Sequence, residues 1–159
     1  VACSFQRLPR ANQNTAWHIP QSWINNDDLP SGCNATDIVT IVDAAECALH
    51  LALVNNAFME NSQIPLITHQ TSRSADPETW SKIIRECVEK WLAAATTSSN
   101  PSAAEMAWFM WDDDGIRALV QKYEHDLLPV LSALPYPVEK ADMFRVLVLK
   151  WFGGIVSAK

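Results

Sequence analysis

The chain has 159 residues and a formal net charge of −6, from 18 acidic and 12 basic side chains. That length suits one domain with its own core. No Lys/Arg cluster occurs, which excludes electrostatic steering to nucleic acid or to an anionic membrane. A phosphorylated ligand would have to be held locally, by an Arg, by backbone N–H groups or by a metal.

Residues 1–36 read as an irregular stem or loop. Val1 to Gly32 is rich in Asn, Gln, Ser and Pro, and Trp17 and Trp23 are its isolated anchors. The first residue is Val, so the chain reads as a processed product or a fragment, and no basic-then-apolar leader is visible. The four cysteines are Cys3, Cys33, Cys47 and Cys87. None forms a C-x-x-C pair, which argues against structural zinc. Cys3 and Cys33 lie in loop-like sequence and are the candidate disulfide pair. Cys47 and Cys87 fall in helical patterns and read as core thiols. Asn34-Ala35-Thr36 is an N-glycosylation triplet, a pattern frequent by chance.

Residues 37–63 form an apolar helix and its linker. Asp37, Thr40, Asp43, Glu46 and His50 recur every three or four residues as one polar stripe on a helix from Asp37 to Met59. The wide apolar face implies burial on most sides, or docking of a protein partner. His50 belongs to the stripe and is not read as a ligand. Asp43, Glu46 and His50 interrupt the most apolar stretch, which argues against a membrane span.

From residue 64 the order is α/β. Ile64 to Thr68 reads as a strand and His69 to Ser74 as a polar loop. Asp76-Pro77 opens a helix with Asp as N-cap. Trp80, Ile83, Ile84, Cys87, Val88 and Trp91 form its apolar stripe. Thr96 to Ser102 is a linker, and Met106 to Trp111 a second strand. Asp112 caps a helix that turns Ile116, Leu119, Val120 and Tyr123 inward. Leu127 to Tyr136 is a turn or broken helix. Pro137 starts a last helix that ends at Gly153, and Ile155-Val156 begins a third strand. A parallel sheet follows. Ligands then bind at the carboxyl ends of its strands, which puts His69, Gln70 and Asp112 on one rim.

Asp142 and Arg145 leave one face of the last helix together. They read either as a surface ion pair or as part of a site. Gly153-Gly154 reads either as a helix stop or as a close approach of backbone to ligand.

Residues 64–159 resemble the N-terminal half of the domain of glycosyltransferase family 32. These are DXD-containing sugar transferases that include fungal α-1,6-mannosyltransferases and inositolphosphorylceramide mannosyltransferases. Five blocks carry the resemblance in order: Ile64-Pro65-Leu66-Ile67-Thr68-His69-Gln70-Thr71; Trp80; Met110-Trp111-Asp112-Asp113; Leu134-Pro135-Tyr136-Pro137 with Lys140-Ala141-Asp142 and Arg145; and Gly153-Gly154-Ile155-Val156. The resemblance implies a GT-A fold, here truncated after about the third parallel strand. It implies a nucleotide-sugar donor, GDP-mannose above all, with Mn²⁺ or Mg²⁺ on the diphosphate. It also implies a glycan or sphingolipid acceptor and residence in the Golgi or secretory lumen. Asp142 would accept hydrogen bonds from sugar hydroxyls and Arg145 would hold the sugar or its phosphate. His69 and Gln70 would line the nucleotide pocket, with Gly153 and Gly154 beside the donor.

Two departures stand out. Ser72 replaces the family's Trp. Val156-Ser157-Ala158-Lys159 stands where the family's Tyr and D-x-D should be, so the metal ligands are absent from this stretch. Asp112-x-Asp114 reads as a helix cap and not as a substitute. The alternative to an enzyme is a non-catalytic truncated homologue that binds a sugar nucleotide or acts as a partner subunit.

Overall fold

The computed structural model describes residues 16–24, 29–34, 36–74, 76–96 and 105–157. Its centre is a four-stranded sheet of β1 (Ala16–His18), β2 (Ile67–Thr71), β3 (Ala107–Trp111) and β4 (Ile155–Val156), in the order β1-β3-β2-β4. β3, β2 and β4 are parallel, and β1 is antiparallel to β3. This is a mixed α/β sheet of Rossmann-like shape, consistent with a GT-A-type fold.

β3 reads Ala-Trp-Phe-Met-Trp, and all five residues are fully buried. A central parallel strand covered on both faces needs such a continuous apolar run. Phe109 and Trp111 face one layer and Trp108 and Met110 the other, in two separate cores. The larger layer holds α2 (Ile41–Val54), α4 (Asp113–Tyr123), α5 (Leu128–Ala133) and α6 (Pro137–Phe152). The smaller is α3 (Lys82–Thr96), and a short α1 (Gln21–Ile24) completes the set.

The strand predicted over 64–68 begins three residues later. Pro65 bridges Phe58 instead, and Ile67 is the first residue in register with β3. The polar loop therefore starts at Ser72. β1 lies in the segment expected to be irregular, because three residues are too few for alternation to show. Its Trp17 is buried.

α2 is shorter than the predicted helix. Thr40 and Asp43 form a reciprocal capping box at its start. At its end Asn55 returns its amide to the Leu51 carbonyl and Asn56 adopts φ 51°. The eight residues buried along α2 go into the chain's own core. The middle of the polar stripe is half-buried against α4, while Asp37 and His50 are exposed. Asp43 and Glu46 meet Lys122 of α4 at 3.5 and 2.7 Å, and the Tyr123 hydroxyl donates to Glu46. Burial, then this bond, push the Tyr123 phenol well above its ordinary range.

Both cysteine expectations change. Cys33 is bonded to Cys47, both buried, while Cys3 lies outside the described residues. A half-cystine is as apolar as a core thiol, so its helical neighbours gave no sign of the bond. Cys87 is free and exposed, as is Ile83. Trp80, Ile84 and Val88 of that stripe reach the core under Trp108 and Met110.

The disulfide closes a loop of sequence separation 14 and fastens the residue 29–40 loop to α2. Closing such a loop is worth about 3 kcal/mol, chiefly by restricting the unfolded chain. Replacing both Cys33 and Cys47 by Ser should lower urea-unfolding stability by about 2–4 kcal/mol. Reductant should do the same to the parent chain and nothing further to the double variant.

Candidate functional site

β2 and β3 end in register, Thr71 opposite Trp111. Beyond them opens a cleft of about 430 Å³. Its floor is Thr71, Ser72, Arg73 and Ser74, directly after β2. One wall is Thr79, Trp80, Ser81 and Ile84 at the start of α3. The other is Asp113 and Ile116 of α4, with Pro137, Val138 and Ala141 from the first turns of α6. The cleft lies where strand carboxyl ends place ligand sites in α/β sheets.

Local contacts shape each part. The Ser72 amide donates to the Trp111 carbonyl at 2.9 Å, which continues the β2–β3 ladder into the floor. The Trp80 indole donates to the Ser74 carbonyl at 2.7 Å and packs edge-on against Trp108. Asp112 caps α4, accepting from the Gly115 amide at 2.8 Å, as its position predicted. Burial raises its carboxyl pKa, and that backbone bond opposes the rise. The lining is rich in hydroxyls. Arg73 is the cation and Asp113 the carboxylate among the lining side chains.

Asp142 and Arg145 stand on α6 next to Ala141. They form an ion pair at 2.5 Å, with Asp142 60 % and Arg145 34 % exposed. The buried Arg145 Nε has no hydrogen-bond partner. Arg145 continues the helical line of Val138 and Ala141, at i+7 and i+4, away from the cleft mouth.

The other four predicted residues are placed elsewhere. His69 is fully buried at the centre of β2, below the rim, because the strand runs on to Thr71. Its Nδ1 accepts from the Trp111 indole at 3.2 Å, and its Nε2 lies 3.2 Å from the Gly153 carbonyl. An indole N–H only donates and a carbonyl only accepts, so the ring is the neutral Nε2–H tautomer. Burial pushes its pKa down to about 3, against a smaller upward pull from Gly153. Gln70 is half-buried and its Oε1 accepts from the Trp108 indole at 3.0 Å.

Gly153 and Gly154 sit at the opposite, amino end of β2. Gly153 has φ 64° and ψ −151°, a conformation reserved for glycine. A Cβ on Gly154, at φ 83°, would lie 2.3 Å from the Ile67 carbonyl oxygen. The close approach is to the chain's own sheet. The structure thus pairs Asp142 with Arg145 on the helix that supplies one cleft wall, outside the lining itself, and leaves the glycine pair at the far end of that helix. Sequence reasoning missed Arg73 and the Ser72 and Ser74 hydroxyls, since the strand was placed three residues early.

The resemblance implies Mn²⁺ or Mg²⁺ on a diphosphate, which needs converging carboxylates or imidazoles. Among the described residues, no three His, Cys, Asp or Glu side chains converge. Asp112 is already committed to capping. The described residues do not fit a metal–diphosphate site.

No family model matches the chain, and no solved structure matches it. Curated relatives do. Over 97 residues it is 25% identical to inositol phosphoceramide mannosyltransferase 1 of Schizosaccharomyces pombe, covering 60% of this chain and 28% of that protein. Over 104 residues it is 28% identical to mannosyl phosphorylinositol ceramide synthase CSH1 of Saccharomyces cerevisiae, covering 64% of this chain and 24% of that protein. Inositol phosphoceramide mannosyltransferase 2 of Schizosaccharomyces pombe is 28% identical over 92 residues, 57% of this chain and 23% of its own length. The chain therefore spans about a quarter of the length of the curated relatives it matches. The relation to these fungal proteins is distant and partial.

Two predictions follow from the buried contacts. The unfolded chain protonates His69 near its ordinary 6.5, the folded chain only near 3. Between those values the unfolded state binds the extra proton. This contribution is whole above pH 6.5 and is lost as pH falls, by up to about 1.4 kcal/mol per unit. His69→Gln can keep both bonds without titrating, so urea midpoints from pH 7 to 4 should fall less steeply in it; parallel profiles would refute the assignment. Separately, Gly154→Ala should cost more than about 2 kcal/mol, strain plus collision. Gly32→Ala, at φ 87° with nothing within 4 Å of its Cβ, should cost clearly less in the same melts.

Proposed function

We propose that this chain supplies the donor-binding half of a GT-A-type glycosyltransferase domain. The donor is a nucleotide sugar, GDP-mannose first, and the acceptor is an inositol phosphoceramide or a related glycan. The observation that carries this reading is the cleft at the carboxyl ends of β2 and β3, closed by the α6 turn that precedes the Asp142–Arg145 pair. The distant fungal relatives, whose names state mannosyl transfer to inositol phosphoceramide, support the substrate class.

In this reading the hydroxyls of Ser72, Ser74 and Ser81 bind ribose and phosphate oxygens, and Arg73 meets the phosphate charge. Asp142 accepts from sugar hydroxyls and holds the Arg145 guanidinium in place. Arg145 is partly exposed and has terminal guanidinium donors left over for the sugar or the diphosphate. A guanidinium placed where charge builds on the departing diphosphate stabilises the transition state more than the ground state. His69 and Gln70 take part indirectly, by setting the height of the β2 rim. The Golgi or secretory lumen is the proposed location.

The test is titration of the chain with GDP-mannose, GDP and UDP-glucose, read as melting temperature and by calorimetry. A ligand that binds only the folded state must raise the melting temperature. GDP-mannose should give the largest shift. Arg145→Ala should weaken binding about tenfold or more, the worth of a charged hydrogen bond. Arg117→Ala, exposed on α4, should leave it unchanged. No shift with any nucleotide would sink donor binding and favour a partner-subunit role.

A further inference from the structure

We infer that Asn34 is an N-glycan acceptor, on a chain that folds in an oxidising lumen. Two observations of different chemistry carry this, and neither depends on the donor cleft.

The first is the surface turn that holds the triplet. Asn34 and Thr36 are both exposed. The Asn34 carbonyl accepts from the Asp37 and Ile38 amides at 2.9 and 3.3 Å, so the backbone is pinned while the side chain faces solvent. The Asn34 Nδ2 donates to Asp37 Oδ2 at 3.3 Å. A carboxamide nitrogen has two hydrogens and that bond needs one. Replacing the other by a sugar carbon keeps the bond intact, so the folded turn tolerates the modification without rearrangement. The hydroxyl that the triplet requires is supplied by Thr36, also at the surface, and the middle residue is Ala35, not proline. The chain contains its own control: Asn100-Pro101-Ser102 has the same end residues with a proline between them, which blocks acceptance.

The second observation is the bond next to it. Cys33, immediately before Asn34, is joined to Cys47 in α2. A buried structural disulfide belongs to secreted or lumenal proteins, since cytosolic thiols are kept reduced. The enzymes that glycosylate Asn-x-Thr act on chains entering that same secretory compartment. A thiol pair and a hydroxyl triplet thus point independently to one location.

The transfer balances with one co-reactant, an oligosaccharide carried on a lipid diphosphate. The Nδ2–C1 bond forms and the C1–O bond to the diphosphate breaks. The bond pair leaves with the lipid diphosphate, and the amide proton goes to a base of the transferring enzyme. Neither Asn34 nor Thr36 lines the cleft.

The test uses the full chain, from its own cells or expressed in eukaryotic cells behind a cleavable secretory leader. Non-reduced peptides are analysed before and after peptide N-glycosidase. The expected result is a glycopeptide spanning Asn34, disulfide-linked to the Cys47 peptide. The enzyme should remove the sugar and convert the Asn34 carboxamide to a carboxylate. Asn34→Gln and Thr36→Ala should each abolish the mass loss, and Thr36→Ser should retain it, with unchanged urea midpoints showing that all three fold. Unmodified Asn34 in protein whose Cys33–Cys47 bond is formed overturns the inference. So does sugar that survives Asn34→Gln, and so do free Cys33 and Cys47 thiols in the protein from its own cells. Nucleotide binding is read separately, so its failure leaves this result untouched.

Discussion

The buried imidazole of His69 is the constraint on which the sheet and its helices depend. It has one donor and one acceptor to satisfy, and the fold supplies one of each. Trp111 brings the indole N–H from β3, and Gly153 brings the carbonyl from the end of α6. An unmet buried polar atom costs about 1–3 kcal/mol, so each partner is held in place by the other's need. The ring also lies among Phe109, Trp111 and Phe152 at centroid distances of 5.8 to 6.4 Å. Charging it there would break both the hydrogen-bond pattern and the apolar packing. On the other face of the same strand, Gln70 accepts from Trp108 and repeats the device.

This fastening fixes α6 from its far end. Gly154 lies against the Ile67 carbonyl at a distance that admits no side chain, so β4 can enter only beside the first residue of β2. α6 has 16 residues, about 24 Å of helix, enough to cross the sheet from that turn to the cleft. Its first turns, Pro137, Val138 and Ala141, are the cleft wall. A stiff rod held at one end by His69 and the glycines therefore sets the position of Pro137, Val138 and Ala141 at the cleft, with Asp142 and then Arg145 following towards its middle. The Gly-Gly pair anchors the end of the helix that carries the Asp-Arg pair, which is a structural reason for them to occur together without touching a common ligand.

The order of elements from β2 onward was legible because each carries a strong local signal. Asp112 before the α4 pattern, Pro137 at the first turn of α6 and Gly153 at its end are capping signals set by backbone chemistry. The rim was legible only to within three residues. Ile64 is as apolar as Ile67, and what separates them is register with β3, a non-local fact. The role of His69 was hidden for the same reason. A polar residue at a strand end reads as a site until its partners, Trp111 and Gly153, are seen 42 and 84 residues away. The Cys33–Cys47 bond and β1 were invisible because both rest on contacts that residues 16–34 make with distant elements. The Asp142–Arg145 pair was legible as a pair, since three residues on a helix dictate it.

Charge decides how an anionic ligand would lie in the cleft. The whole chain is acidic, so no long-range field delivers a diphosphate and its binding must be local. The α4 N-terminus would ordinarily attract phosphate, but Asp112 already occupies the Gly115 amide and Asp113 and Asp114 add negative charge in its first turn. A diphosphate beside Asp113 would meet like charge across a short gap. The opposite side offers Arg73 on the floor and, further along α6 and outside the lining, the partly exposed Arg145 guanidinium. In the proposed reading the diphosphate therefore lies towards the β2 loop and α6. The nucleoside takes the wall formed by Trp80 and Ile84, whose apolar surface suits a base more than a phosphate. In the same proposed reading the sugar would lie nearest Asp142, the order that a transferase needs if the bond to be broken is to face the acceptor.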